Sequence, residues 1–128
     1  MTIAFTCVLI AILLPYGLTY YMKSELIKRG IFDNSAPREQ LAKLEGARKR
    51  ALWAHENSYE SLPAFVGAVV IAHIAGASQQ VVDVLAVVYV VSRLLYYVCY
   101  IRDLASLRSL VWALGFFAII GMFVAAYW

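Results

Sequence analysis

The sequence predicts an all-α integral membrane protein: one domain, a bundle of four spanning helices. Three observations carry that prediction. The chain has 128 residues and is 63% hydrophobic, with a mean hydropathy of +0.74, against roughly 45–50% apolar usage in soluble domains. Its charge is segregated: residues 1–22, 61–82 and 109–128 hold no Asp, Glu, Lys or Arg. The polar residues that do enter apolar stretches recur at helical steps of three and four. Spans are placed at about 2–24, 38–75, 81–102 and 107–127.

Residues 1–22 make about 33 Å of helix, enough to cross a hydrocarbon core of about 30 Å. A signal peptide would carry basic residues before the apolar run; here Lys23, Lys28 and Arg29 follow it, so the run reads as a retained span. Pro15 predicts a kink in it. Residues 23–50 hold eight of the eleven Lys and Arg. A helix is expected to start near Pro37, capped by Ser35, supported by Glu39/Lys43 and Glu45/Lys49 pairs, and to run on into the membrane. Pro63 predicts a second kink. Ala64, Ala68, Ala72 and Gly76 form a small-residue face suited to close helix approach.

The third span carries Arg93 near its middle and ends at Arg102–Asp103. The fourth closes on Tyr127–Trp128, aromatics typical of a membrane interface. The first connection holds eight Lys/Arg, the second none and the third Arg102 and Arg108. The positive-inside rule then places connections one and three in the cytoplasm and both termini on the non-cytoplasmic side. The net charge of +3 is thereby explained without a nucleic-acid partner. Cys7 and Cys99 fall at opposite membrane faces, beyond the roughly 7 Å that a disulfide within one subunit tolerates, and read as packing residues. No metal-type cluster is present: His55 and His73 are 18 residues apart and lack ligand spacing. His73 is read as a structural histidine bonded to a neighbouring helix.

The candidate site comes from two polar stripes. Arg50, His55, Asn57 and Glu60 ride into the second span, with Trp53, Asn57 and Glu60 on one face. Tyr89, Arg93, Tyr96 and Tyr100 line one face of the third. Ionisable groups inside a bilayer are costly and mark function by default. Glu60 and Arg93 both sit roughly 14–15 Å from their cytoplasmic helix ends, so a Glu60–Arg93 pair is expected, within a subunit or across an interface. With Arg108, these residues make a basic, hydrogen-bonding pocket at the cytoplasmic edge. It suits an anionic, water-soluble cosubstrate meeting an apolar, lipid-borne one. An arginine beside a bound thiol lowers its pKa and raises the nucleophilic thiolate fraction.

Three blocks of sequence carry a resemblance. They are Arg50-Ala-x-x-Ala54-His55-x-Asn57-x-x-Glu60-x-x-Pro63-x-Phe65, then Tyr89-x-x-x-Arg93-x-x-Tyr96-x-x-x-Tyr100, then Leu107-Arg108-Ser109. Together they resemble the MAPEG family, membrane-associated proteins in eicosanoid and glutathione metabolism. The loop from Asp33-Asn34 to Pro37-Arg38 is similar to the family's bacterial branch, which implies a bacterial inner membrane. The resemblance implies a homotrimer with glutathione as cosubstrate, bound between subunits near the cytoplasmic side. It implies transfer to, reduction of, or isomerisation of hydrophobic small molecules. Arg50, His55, Asn57, Glu60, Arg93, Tyr96 and Tyr100 would hold glutathione, and Arg108 would stabilise its thiolate. Two positions depart. Trp53 stands where family enzymes carry an arginine four residues before the asparagine, and Arg50 and Arg48 are the candidates to replace that contact. Ser61 stands where the leukotriene-forming enzyme has tyrosine. The alternatives are a non-catalytic member binding a lipid or another anion in the same pocket, and a small four-span transporter. Against the transporter, the first span lacks the carboxylate that coupled exporters use.

Overall fold

The computed structural model describes residues 1–127; the interfacial Trp128 lies outside the described residues. The chain forms α1 (Ile3–Lys28), α2 (Pro37–Ala42), α3 (Gly46–Ile74), α4 (Gln79–Ile101) and α5 (Ala105–Ala125), with no strand among the described residues. By length and composition α1, α4 and α5 can each cross a membrane. The fourth long helix, α3, has 29 residues, about 43 Å, but its first turns carry Arg48, Lys49, Arg50, Glu56 and Glu60.

Why these segments pack is visible in α1. Its buried residues are Ala4, Cys7, Ala11, Pro15, Leu18 and Met22, one stripe at steps of three and four. The opposite side exposes Leu9, Ile10, Leu13, Tyr16 and Tyr20. A helix apolar all round belongs where its outer face also meets apolar matter. Pro15 and Pro63 lie inside helices that continue through them.

Helix α4 is the centre of the bundle, packing on α1, α3 and most extensively α5. Two cores result. One gathers small side chains, including Ala4, Cys7, Ala68, Ala72, Ala86 and Ala118. The other, where α3 begins and α4 ends, gathers Leu18, Met22, Ala51, Ala54, Tyr96, Tyr97, Cys99 and Val111. Of the expected small-residue face, Ala68 and Ala72 are buried, while Ala64 and Gly76 are exposed. Both cysteines are free and buried, one in each core.

Four local expectations are corrected. The helix expected to run on from Pro37 stops at Ala42 and restarts at Gly46, whose φ is +59. Glycine takes that left-handed conformation without a steric penalty, so the chain turns there. Neither expected ion pair forms: among the described residues the ion pairs are Arg29–Glu25 and Arg48–Glu25, and Lys49 donates to the Ala42 carbonyl instead. Ser35 is not a cap. Its hydroxyl and backbone N–H both donate to the Asp33 carboxylate, at 2.6 and 2.8 Å, an Asx-type turn. Those bonds hold the Asp33 carboxyl below the usual range, and Pro37 takes the first helical position with Ala36 as cap. His73 meets a neighbouring helix through an edge-to-face contact with Phe5, ring centroids 5.0 Å apart, and makes no side-chain hydrogen bond among the described residues.

Candidate functional site at the α3–α4–α5 junction

Arg93 is the hub. It lies on α4 with 3% of its surface exposed. Its Nη1 donates to Asn57 Oδ1 at 3.0 Å, and its Cζ lies 4.4 Å from the Tyr96 ring centre and 5.6 Å from that of Tyr89, within cation–π range. Its Nε is buried and has no hydrogen-bond partner. Among the described residues no carboxylate forms an ion pair with it. The direct Glu60–Arg93 pair is therefore not formed within the chain. Asn57, one turn before Glu60, stands between them: its amide accepts from Arg93 and its Nδ2 donates to Glu60 Oε2 at 3.1 Å. The carboxylate thereby stays at the exposed rim, where its hydration is kept.

The Arg93 guanidinium reaches this place because α5 is stripped to glycine beside it. A β-carbon on Gly115 would lie 2.5 Å from Ser92 Oγ and 3.3 Å from Arg93 Nη2. The resulting cleft encloses about 230 Å³. Its polar side is Asn57, Glu60, Ser61 and Arg93; its apolar walls include Ala64, Trp112, Phe116 and Ile119. Tyr89 is fixed from two sides: Phe65 stacks on it at 3.9 Å, and its hydroxyl is 2.9 Å from Ser61 Oγ. Tyr97, off this face, pairs with Ser58 Oγ at 2.7 Å in the buried interior.

A second group adjoins the first. Tyr96 meets Tyr100 edge-to-face at 5.0 Å, and the Arg108 Cζ lies 4.5 Å above the Tyr100 ring. Two rings, Tyr96 and Tyr100, thus lie between the Arg93 and Arg108 cations. Trp53 flanks Tyr100 at 6.5 Å. Arg108 is brought here by a connection of only three residues, Arg102–Leu104, between α4 and α5. Asp103 adopts φ 59 in it. Leu104 N–H donates to the Cys99 carbonyl at 2.8 Å and Asp103 N–H to that of Tyr100 at 3.2 Å, a Schellman-type closure of the helix.

The chain therefore brings together Asn57, Glu60, Arg93, Tyr96, Tyr100 and Arg108. Arg50 and His55 stand aside. Arg50 donates from Nε to the Tyr100 carbonyl at 2.9 Å and from Nη2 to that of Ile101 at 3.0 Å. His55 meets Tyr59 edge-to-face at 5.0 Å. Arg48 donates to the Tyr21 carbonyl and to Ser24 Oγ, and pairs with Glu25. Neither Arg48 nor Arg50 occupies the place left at Trp53. Sequence reasoning missed Trp112, Gly115 and Phe116. Their signal was a glycine between two aromatics spaced i,i+4, which puts both rings on one face of α5; the rings stack 5.3 Å apart.

A model of the MAPEG family matches residues 2–128, nearly the whole chain. A search of the curated proteins found no match. With three helices long and apolar enough to cross a bilayer, the family match makes this an integral membrane protein with a role in glutathione or eicosanoid metabolism.

Proposed function

We propose, from the premise that the chain belongs to the MAPEG family, that it is a membrane-embedded, glutathione-dependent transferase or peroxidase acting on hydrophobic electrophilic or lipid-derived substrates. The observation that carries this reading is Arg93: a guanidinium buried to 3% exposure, with no carboxylate pairing it among the described residues and one nitrogen unsatisfied. Burying an ion costs several kcal/mol unless it is paired. An anionic ligand supplies the missing partner, and Glu60 at the rim accepts an ammonium. Glutathione carries both groups. The apolar walls at Trp112, Phe116 and Ile119 favour a lipid-borne partner on the other side.

In this reading Asn57, Glu60, Arg93, Tyr96 and Tyr100 hold glutathione, with Arg50 and His55 towards the cytoplasmic edge. Arg108 stabilises the thiolate, so the thiol proton is lost to solvent at that edge. In transfer, the sulfur forms a bond to the electrophilic carbon and the leaving group departs, or the adduct takes up a proton. In peroxide reduction two thiols and a hydroperoxide give a disulfide, an alcohol and water. The same reading makes α3 a fourth span and puts both termini on the non-cytoplasmic side of a bacterial inner membrane, with the basic first connection in the cytoplasm. It also makes the protein a homotrimer. The small cleft supports this, being below the roughly 300–1,000 Å³ of a drug-sized ligand pocket; a neighbouring subunit would complete it.

Calorimetry on the detergent-purified protein tests the reading. Glutathione should bind in the micromolar to millimolar range, and Arg93→Met should weaken it about 10- to 100-fold, the loss of one charge-assisted contact of about 1.5–3 kcal/mol. A folded wild-type protein that binds no glutathione would sink it. One observation favours a second reading, a non-catalytic member holding a lipid or other anion: Arg48 and Arg50 are both engaged elsewhere and leave Trp53 unreplaced. Lipid retained through purification, together with no glutathione binding, would favour that reading.

A further inference from the structure

The sequence alone makes Arg50 a ligand contact; its geometry gives it a different task. The last carbonyls of a helix have no intrahelical donors. At the end of α4 the Val98, Cys99 and Tyr100 carbonyls receive N–H groups from Arg102, Leu104 and Asp103. Among the described residues, the Ile101 carbonyl takes its side-chain donor from Arg50 Nη2, and Arg50 Nε adds a second donor at Tyr100. One guanidinium, anchored on α3 just before the buried Ala51 and Ala54, thus grips two successive carbonyls in a fork. A cation at a helix C-terminus is also favoured by the helix dipole.

Arg50 holds the platform on which Arg108 stands. The residue whose carbonyl it grips, Tyr100, carries the ring under Arg108. The residues that follow, Arg102–Leu104, are the whole connection to α5, whose first full turn bears Arg108. We propose that Arg50 is a positioning residue: it clamps the α4 C-terminus to α3, and so fixes the Tyr100 ring and the start of α5 that set the place of the Arg108 guanidinium. This rests on the thiol reading above for its consequence, a poised thiolate, but the clamp itself can be measured without any thiol.

Two measurements are made on the wild type, Arg50→Met and Arg50→Lys. The first is the rate at which phenylglyoxal modifies Arg108, followed peptide by peptide by mass spectrometry. Modification should run several-fold faster in Arg50→Met, with Arg50→Lys intermediate, since lysine keeps one donor. The second pairs the ultraviolet signal of bound glutathione thiolate against pH with the affinity for S-methylglutathione, which has no thiol to ionise. The thiolate midpoint should rise by about one unit in Arg50→Met, roughly a tenfold loss of thiolate fraction near neutrality, while S-methylglutathione affinity stays within threefold. An unchanged Arg108 modification rate overturns the clamp. Equal weakening of glutathione and S-methylglutathione, with no midpoint shift, makes Arg50 a ligand contact and also overturns it. A wild type that binds no glutathione, yet frees Arg108 in Arg50→Met, retires the thiol reading and leaves the clamp standing.

Discussion

The two ends of this bundle are held by different chemistry. Where α1 and α4 begin, the interior is mostly alanine, with Cys7, Val82 and Met122 among it and Ala68, Ala72 and Ala86 at 0% exposure. A charged side chain there, Asp83, is spent on a helix end, accepting the Ala4 N–H at 2.8 Å. Where α3 begins and α4 ends, tyrosines fill the core and arginines knit it: Arg48 to α1, Arg50 to α4. At the alanine end no buried polar side-chain atom is left without a partner among the described residues. The arginine end leaves polar capacity over, in the Arg93 Nε and in Arg108, which is in no ion pair among the described residues. Stability at one end rests on close packing, and chemistry at the other on cations given rings and carbonyls in place of carboxylates.

The sharpest way to break that contrast is Arg108→Ala. Its cation stacks on Tyr100 and pairs with no acid, so its removal strands no buried charge and should leave thermal stability nearly intact. If it stabilises developing charge on sulfur, turnover with a model electrophile should fall by about 10²- to 10³-fold, the scale seen when one such donor is removed. Steady-state kinetics beside a thermal melt decide it. Unchanged turnover would mean that the spare cation at this end is structural after all.

Ala72→Leu tests the opposite end. Ala72 is fully buried in the small-residue core. The extra methylenes have nowhere to go, and overpacking of this kind typically costs about 1–3 kcal/mol. The melting midpoint in detergent should drop while glutathione affinity holds. A lost affinity at unchanged stability would show that the ends are not separable.

Much of this contrast is written in the sequence. Arg93 at the middle of an apolar run announces a buried cation because a bilayer would not hold it otherwise, and the four-and-three spacing from Tyr89 through Arg93 to Tyr96 fixes which rings meet it. What helical spacing cannot show is the rotamer chosen at each position. Glu60 and Arg93 match in depth and are opposite in charge, yet Asn57 lies one turn nearer on the same face and takes the contact. Arg50 has the same limit: periodicity places it near the site, but its reach to the Tyr100 and Ile101 carbonyls depends on where α4 ends, which turns on Asp103 adopting a left-handed conformation unusual outside glycine. The break before Gly46 had a signal in the glycine itself. Trp112 and Phe116 were hidden because, in a helix apolar on every face, aromatic residues carry no mark of which side is a cleft.

Asp83 yields the smallest effect and the cleanest probe of the alanine end. Its carboxylate caps the Ala4 N–H and is itself held by Gln79 Nε2 at 2.8 Å, so a residue from α4 satisfies an orphan donor of α1. Asp83→Ala should cost about 0.5–2 kcal/mol, the usual range for a lost N-terminal cap. Amide exchange in the first turn of α1 should speed accordingly. Asp83→Asn keeps an acceptor and loses only the charge that favours a helix N-terminus, so it should recover most of the difference. Because the cap lies at the far end from Arg93 and Arg108, thiolate formation should not move in either variant. Should the thiolate midpoint move together with the exchange rate, the two ends share one cooperative unit, and the division between packing and chemistry is one of composition and not of energetics.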